Sequence, residues 1–230
     1  MFTIQCVESY IDKDNLDYGC FKIEPLDGGH SITIGNTLRR ILLSELIGPA
    51  ITSVRINNIK HEFSAISGVR EDVLDIILNL KEIRFRGTKH CATNLNLQVI
   101  GPSVITAEQL ITPSHLEVVN KKQYIATVHD STLVEMELKI EYGKGYCFAS
   151  QNTSVENEDD FLMVDANFSP IRRVNYKIKL LPLDGNQIKE SLIFEIWTDG
   201  SITPARSLKE ASKLAMNLFY PLLSHPYEFK

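Results

Sequence analysis

The chain has 230 residues, of which 43% are hydrophobic and 23% charged, a balance typical of a globular protein that buries one or two cores. Because the net charge is −5, no excess of Lys and Arg stands ready to bind a phosphate backbone, and we predict no strong DNA binding by the chain alone. The four cysteines form no Cys-x-x-Cys pair, so we expect reduced thiols, no disulfide and no zinc site. No apolar run approaches the roughly 20 residues of a membrane span. The first residues also lack the pattern of a signal or transit peptide.

The first predicted helix spans residues 31–47. Its apolar stripe consists of residues that recur at helical spacing, namely Ile34, Leu38, Ile41, Leu42 and Leu46. Ser31 or Thr33 is the expected N-terminal cap. Gly48 and Pro49 come next, and a glycine followed by a proline, which cannot continue a helix, predicts its C-terminal end.

Two further amphipathic helices are predicted, over residues 67–80 and 204–223. The apolar face of the first consists of Val69, Val73, Ile76, Ile77 and Leu80. The second begins with Thr203 as its cap and Pro204 in its first turn. Its apolar residues are Leu208, Ala211, Ala215, Leu218, Phe219 and Leu222.

Between these helices the hydrophobic period changes to two, which predicts β-strands. Apolar and polar residues alternate over 134–141 and over 174–180. The other predicted strands are 19–25, 50–60, 93–100 and 191–198. Residues 184–186, Asp-Gly-Asn, predict a turn between the last two strands, and the acidic stretch 151–160 predicts an exposed loop. The fold class is therefore α+β, with two strand-rich units.

No pattern in the sequence is typical of an active site or a metal site. His61-Glu62 resembles the start of a zinc-protease helix, but that motif needs a second His four residues after the first, and position 65 is Ala. The glycine clusters at 28–29 and 143–145 lack the spacing of a phosphate-binding loop, so we interpret both as turns. The acids at 158–160 could hold Mg²⁺, although adjacent acids in a polar loop are usually only solvated.

Two adjacent arginines, Arg39 and Arg40, lie in the middle of the first helix. They could belong to a solvated face, which is a common arrangement. They could also bind a partner, because the guanidinium group makes planar, multi-donor contacts and is enriched at protein interfaces. The helical pattern leaves both interpretations open.

One motif runs from Glu24-Pro25-Leu26 through residues 33–44, Thr-Ile-Gly-Asn-Thr-Leu-Arg-Arg-Ile-Leu-Leu-Ser. It resembles the first signature of bacterial and plastid RNA polymerase α subunits. The resemblance continues in order through the motifs at 61–63, 68–74, 78–81, 143–146, 164–166 and 169–170. Gln5-Cys6-Val7-Glu8-Ser9 and residues 81–83 look most like cyanobacterial and plastid members. We therefore expect a plastid stroma as the location, with a bacterial cytoplasm as the alternative.

The resemblance implies a discontinuous, strand-rich dimerisation domain with two long amphipathic helices, residues 1–48 and 172–230. An inserted α+β domain, residues 49–171, would contact the large subunits. In the family the two long helices pack against their copies in a second subunit. We therefore expect a hydrophobic homodimer interface, of the kind that buries about 2,000 Å² or more. The residues expected in it are Ile34, Leu38, Ile41, Leu42, Leu46, Leu208, Ala211, Ala215, Leu218 and Phe219.

By the same resemblance, the dimer is a scaffold on which one copy binds the β subunit and the other binds β′. The positions that match β contacts are His30, Arg39, Arg40 and Leu43, and those that match β′ contacts are Lys81, Val164 and Asp165. Catalysis with Mg²⁺ belongs to the large subunits in this family. We therefore expect no cofactor, no metal and no catalytic residue in this chain. The σ factor and DNA are expected to be reached only through the complex, and no membrane partner is expected.

Bacterial members usually continue into a small helical domain that binds promoter DNA, whereas this sequence ends at Lys230, so we expect that function to be absent. Two other functions were weighed. A small homodimeric enzyme would need a cluster of perturbed acids or a metal site. A stand-alone dimeric assembly factor that shares the fold would lack the inserted-domain motifs, but those at 68–81 and 164–170 are present.

Overall fold

The structure, a computed structural model, describes residues 2–13, 15–57, 59–87, 91–151, 160–182 and 188–224. The chain divides into two compact units. The first unit combines Met1–Leu46 with Ser169–Lys230, and the second is the continuous stretch Ile47–Phe168. Strands outnumber helices in both units, so the predicted α+β class is confirmed.

The described residues form fourteen strands and three α-helices. In chain order they are β1 (Thr3–Ile11), β2 (Asp17–Leu26), α1 (His30–Ser44), β3 (Ile47–Ile56), α2 (Val73–Lys81), β4 (Phe85–Gly87), β5 (Thr93–Ile100), β6 (Ser103–Thr106), β7 (Leu116–Val118), β8 (Tyr124–Val128), β9 (Leu133–Lys144), β10 (Tyr146–Cys147), β11 (Leu162–Met163), β12 (Ala166–Asn167), β13 (Ile171–Pro182), β14 (Ile188–Thr198) and α3 (Pro204–Ser224). Two short 3-10 helices, Ala107–Gln109 and Ala149–Gln151, lie in the second unit.

A four-stranded antiparallel sheet, in the order β1-β2-β14-β13, is the framework of the first unit. Helix α1 packs against α3, β13 and β14. Leu192, Phe194 and Ile196 alternate along β14 and are all fully buried, as expected for a strand that presents one face to a core. They share that core with Leu42 of α1 and Leu208 of α3.

Gly35 allows α1 to lie close to the sheet. A Cβ atom at this position would lie only 2.9 Å from Cδ2 of Tyr176 on β13. The hydroxyl of Tyr176 donates to Oδ1 of Asn36 at 2.9 Å, and its ring stacks on Phe194 with centroids 6.3 Å apart. A larger residue at position 35 would therefore displace the helix or the tyrosine ring.

Both ends of α1 differ from the prediction. The helix begins at His30 rather than near Ser31 because Gly29, with φ of +84°, is the N-terminal cap and neither Ser31 nor Thr33 supplies a side-chain cap. The helix ends at Ser44. Gly48 and Pro49, predicted as its end, instead lie in β3 and pair with residues 142–143 of β9.

The second unit contains the sheet β11-β3-β9-β5 and three two-stranded sheets, β4-β7, β6-β8 and β10-β12. Helix α2 contacts β3 and β8. Its residues Val73, Ile76 and Leu80 are fully buried, as are Leu138 and Ile140 of β9. These side chains belong to one continuous core.

The predicted helix over 67–80 is correct only in its second half, since α2 begins at Val73. Gly68 has φ of +80°, and Val69 forms an isolated bridge with Val128. The carboxylate of Glu71, only 8% exposed, accepts a hydrogen bond from the backbone N–H of Thr127 at 2.7 Å. The apolar spacing of the segment is therefore satisfied by pairing with β8 rather than by a helical turn.

The remaining elements agree closely with the predictions. The predicted strands within 19–25, 93–100, 134–141, 174–180 and 191–198 all lie in observed strands. Strand β3 ends at Ile56, earlier than predicted, and Asn57 follows with φ of +45°. Helix α3 begins at Pro204 as predicted, and the N–H of Ser207 donates to the carbonyl of Thr203 at 2.9 Å. The predicted turn at 184–186 and residues 152–159 of the predicted loop lie outside the described residues.

Candidate functional site

The side of α1 that faces away from the core of the first unit carries mainly polar side chains and one leucine. His30, Arg39, Arg40 and Leu43 are all exposed, and Leu43 is 40% exposed. Within the described part of the chain, neither arginine forms an ion pair with a carboxylate. Both guanidinium groups are therefore available to a partner.

A carboxylate from β14 holds the beginning of α1. Glu190 accepts hydrogen bonds from the backbone N–H of Gly29 at 2.9 Å and of Ser31 at 3.2 Å. These donors are among those that the first turn of a helix leaves without intrahelical partners. The Gly29 bond, followed by those from Ser31, lowers the pKa of Glu190 below its ordinary value. This contact fixes the position of His30 relative to the sheet.

Most of the predicted dimer stripe is already buried inside its own chain. Leu38, Ile41, Leu42, Leu46, Leu208 and Ala211 are at most 7% exposed and belong to the core of the first unit. Ile34 and Ala215 are partly buried and pack against the same core. α1 and α3 thus use this stripe to pack on the sheet of their own subunit, and the contact of these residues with a second copy stays a prediction.

A run of exposed apolar side chains lies on the second half of α3. We call it the α3 apolar patch, and it consists of Met216 (71% exposed), Leu218 (64%), Phe219 (51%), Tyr220 (68%) and Leu222 (60%). Only Leu218 and Phe219 were among the residues predicted for the interface. The sequence signal for the others is that residues 214–223 are apolar except for Asn217, so apolar side chains lie on nearly every side of this helical segment, a pattern that predicts burial.

In the second unit, Lys81, Tyr146 and Asp165 form one hydrogen-bonded cluster. Nζ of Lys81 lies 2.8 Å from the hydroxyl of Tyr146 and 3.3 Å from Oδ2 of Asp165. The Tyr146 hydroxyl donates to the same carboxylate oxygen at 2.8 Å. The backbone N–H of Ala149 donates to Oδ1 at 2.9 Å. The cluster joins the end of α2 to Tyr146 in β10, to Ala149 after that strand and to Asp165 just before β12.

The electrostatics of this cluster keep both charges in place. The Ala149 N–H, the Tyr146 hydroxyl and the Lys81 ammonium together lower the pKa of Asp165. The hydrogen bond to Tyr146, and then the one to Asp165, raise the pKa of Lys81. An ammonium on a flexible stem is thereby held in one position on the surface, where Lys81 also lies 5.0 Å from the centroid of the Tyr146 ring.

One residue predicted for this surface is buried, and two aromatic residues that the sequence did not single out are exposed beside it. Val164 is fully buried, and its N–H donates to the carbonyl of Thr52 at 2.9 Å. It therefore anchors Asp165 and offers no side-chain surface to a partner. Tyr146 and Phe148 are 45% and 54% exposed, and their rings meet edge to face with centroids 5.1 Å apart. We call Lys81, Tyr146, Phe148 and Asp165 the Lys81 surface.

Neither a metal centre nor a membrane span is evident in the described part of the chain. No group of three or more His, Cys, Asp or Glu side chains is placed there to hold a metal ion. Among the helical residues that could be described, no segment combines the length and hydropathy needed to cross a bilayer.

Known proteins resemble both units of the chain. A family model described as RNA polymerase Rpb3/RpoA insert domain matches residues 54–169. The DNA-directed RNA polymerase subunit alpha of Cyanophora paradoxa is 44% identical over 99% of this chain and 72% of its own length. The corresponding subunit of Synechocystis is 44% identical over 96% of this chain and 70% of its own length. The corresponding subunit of Pyropia yezoensis is 46% identical over 96% of this chain and 71% of its own length.

Together these matches cover nearly the whole chain, which is enough to identify its family. The family model covers most of the second unit, Ile47–Phe168, and the relatives extend through the first unit as well. The chain therefore belongs to the family of DNA-directed RNA polymerase α subunits, and its role in transcription is that of a non-catalytic subunit of a nucleotidyltransferase complex.

Proposed function

We propose that this chain forms a homodimer through the α3 apolar patch and that the dimer is the scaffold on which the β and β′ subunits assemble. One copy binds β through the exposed face of α1, and the other binds β′ through the Lys81 surface. The observation that carries the proposal is the α3 apolar patch. Five large apolar side chains on two successive helical turns are each more than half exposed.

A second copy of the chain is the occupant that best fits this patch. Contiguous apolar surface of this kind marks interaction sites, and the interfaces of obligate homodimers resemble a core cut in half. A two-fold axis brings the same patch of both subunits together. Because both patches are apolar, bringing them together removes no charged side chain of either patch from water.

The exposed face of α1 suits a different kind of partner. Arg39 and Arg40 offer guanidinium groups, and Leu43 adds an apolar contact between them and the end of the helix. Arginine is enriched in protein interfaces because its planar fork of donors loses little entropy on binding. We assign this face to β, as the family resemblance implies.

Replacing Arg40 with Ala should weaken capture of β while leaving the homodimer intact. The loss of an interface arginine typically costs about 2 kcal/mol, or roughly thirtyfold in affinity. The measurement is a pull-down of cognate β by the tagged chain over a range of concentrations. Arg206→Ala, which removes an exposed arginine from the first turn of α3, is the matched control. Equal capture of β by the two variants would remove Arg40 from the β contact.

Replacing Lys81 with Ala should weaken capture of β′ about tenfold, and Tyr146→Phe should weaken it by a smaller factor. The first change removes the charge, whereas the second removes only the hydroxyl that orients the ammonium, a hydrogen bond of about 1 kcal/mol. Lys121→Ala, at an exposed turn of the same unit, is the control. The assay is a titration of the preformed complex of this chain with β against β′. Unchanged capture by Lys81→Ala would contradict the assignment.

We propose further that the σ factor and DNA are reached only through the assembled enzyme, and that no cofactor is held by this chain. The Mg²⁺ needed for nucleotide transfer then belongs to the large subunits. Relatives from cyanobacteria and plastids support a plastid stroma as the location, with a bacterial cytoplasm as the alternative.

A further inference from the structure

A cavity of about 540 Å³ opens in the second unit beside the start of β5. Its lining includes the thiol of Cys91, the hydroxyl of Thr93, the imidazole of His115 and the apolar side chains of Ile111 and Pro113. The described lining residues include no Asp, Glu, Lys or Arg. The volume lies within the range of about 300–1,000 Å³ that is typical of small-molecule sites.

Two side chains meet at one nitrogen of His115. Nε2 lies 3.6 Å from Sγ of Cys91 and 3.2 Å from Oγ1 of Thr93. The Thr93 hydroxyl also lies 3.2 Å from the carbonyl oxygen of Cys91, to which it can donate. Nε2 of His115 is therefore a ring nitrogen placed beside both the hydroxyl of Thr93 and the sulfur of Cys91.

An imidazole in this position can assist the reaction of the thiol. The thiolate, not the thiol, is the nucleophile, and a nitrogen base beside the sulfur can take up the thiol proton as the sulfur attacks. Cys91 is also exposed, so a reagent in the cavity can reach it. We propose that Cys91, assisted by His115, is a modification site that accepts a small disulfide such as oxidised glutathione.

The proposed reaction is a thiol–disulfide exchange. The thiolate sulfur of Cys91 attacks one sulfur of the small disulfide. The disulfide's S–S bond breaks as a new S–S bond forms to Cys91, and the departing half leaves as a thiolate that takes up the proton lost by Cys91. The small disulfide is the oxidant, and an excess of a small thiol reverses the reaction.

The test is exposure of the full chain to oxidised glutathione, followed by peptide mass mapping at each cysteine with time. Cys6 is the internal control because it is also exposed, but its sulfur lies 3.6 Å from the carbonyl oxygen of Glu8 instead of an imidazole. Cys20 is buried and should remain unmodified. We expect Cys91 to react about tenfold faster than Cys6.

Two variants separate assistance by His115 from simple exposure. In His115→Ala the rate at Cys91 should fall to that of Cys6, and in Thr93→Val, which removes the hydroxyl that contacts Nε2, it should fall part of the way. An unchanged rate at Cys6 in both variants reports that the fold is intact. Equal rates at Cys91 and Cys6 in the natural sequence, or an undiminished Cys91 rate in His115→Ala, would overturn the proposal.

Discussion

Replacing both Leu218 and Phe219 with Glu is expected to convert the proposed homodimer into a monomer. Each apolar side chain contributes about 1.5–3 kcal/mol when it is fully buried. A two-fold axis places each substitution in the interface twice, and the four introduced carboxylates would face one another across it. The expected result is a rise in the dimer dissociation constant of at least about a hundredfold.

This variant preserves the subunit itself, which makes the result interpretable. Leu218 and Phe219 are 64% and 51% exposed in the isolated chain, and Glu is a strong helix former, so α3 should persist. The matched control is Leu180→Glu on β13, which is exposed to a similar extent, at 66%. Sedimentation velocity over a range of concentrations distinguishes the species. A dimer that survives in the double variant would rule out the α3 apolar patch as its interface.

Replacing Glu71 with Ala is expected to lower the free energy of unfolding by about 3 kcal/mol, through the loss of buried hydrogen bonds. The Glu71 carboxylate accepts from the hydroxyl of Tyr124 and from the backbone N–H of Thr127 at 2.7 Å, and it pairs with Arg70 at 2.9 Å. Truncation leaves the N–H of Thr127, in β8, without this acceptor. Urea denaturation of the full chain measures the change.

The Glu71 carboxylate should also make stability depend on pH. Burial raises its pKa, but the hydrogen bonds from Tyr124 and Thr127 and the charge of Arg70 outweigh burial, so its pKa lies below the ordinary value of 4.5. A lowered pKa contributes stability that is fully present above that ordinary value and is lost as the pH falls through the folded pKa. As the pH falls from about 5 to about 3, an interval that spans the ordinary pKa of a glutamate, Glu71→Gln should therefore lose less stability than the natural chain. If the free energy of unfolding falls equally with pH in the variant and in the natural chain, the Glu71 carboxylate does not cause the pH dependence.

The sequence predicts the elements of this protein better than it predicts which surfaces they use. Period-two alternation identifies β9 because one face of that strand is buried, and it also identifies β13, although only Ile171 and Val174 are buried there. The same reasoning identifies an apolar stripe on α1, yet it cannot say whether Leu38 and Leu42 meet their own sheet or a second copy. That choice depends on which side of the helix faces β13 and β14, and helical spacing carries no such information.

Contacts between distant parts of the chain explain the other differences. Lys81 and Asp165 are 84 residues apart, and Glu71 reaches Thr127 across 56 residues, so spacing cannot bring either pair together. The family resemblance pointed to Lys81 and Asp165 as positions that match β′ contacts, but it did not indicate that the hydroxyl of Tyr146 lies between them. It also did not distinguish the buried Val164 from its exposed neighbour. The apolar spacing similarly predicted that α2 begins at residue 67, whereas residues 67–72 form turns, bends and isolated bridges that contacts with distant residues hold in place.

The most direct test of the scaffold role is to co-express this chain with its cognate β and β′ subunits and to purify the product by a tag on β′. The composition of the product and its templated RNA synthesis are then measured. A scaffold predicts two copies of this chain for each β and β′, RNA synthesis that depends on the chain, and loss of both with the Leu218→Glu, Phe219→Glu variant. A β–β′ complex that assembles and makes RNA equally well without the chain would contradict it.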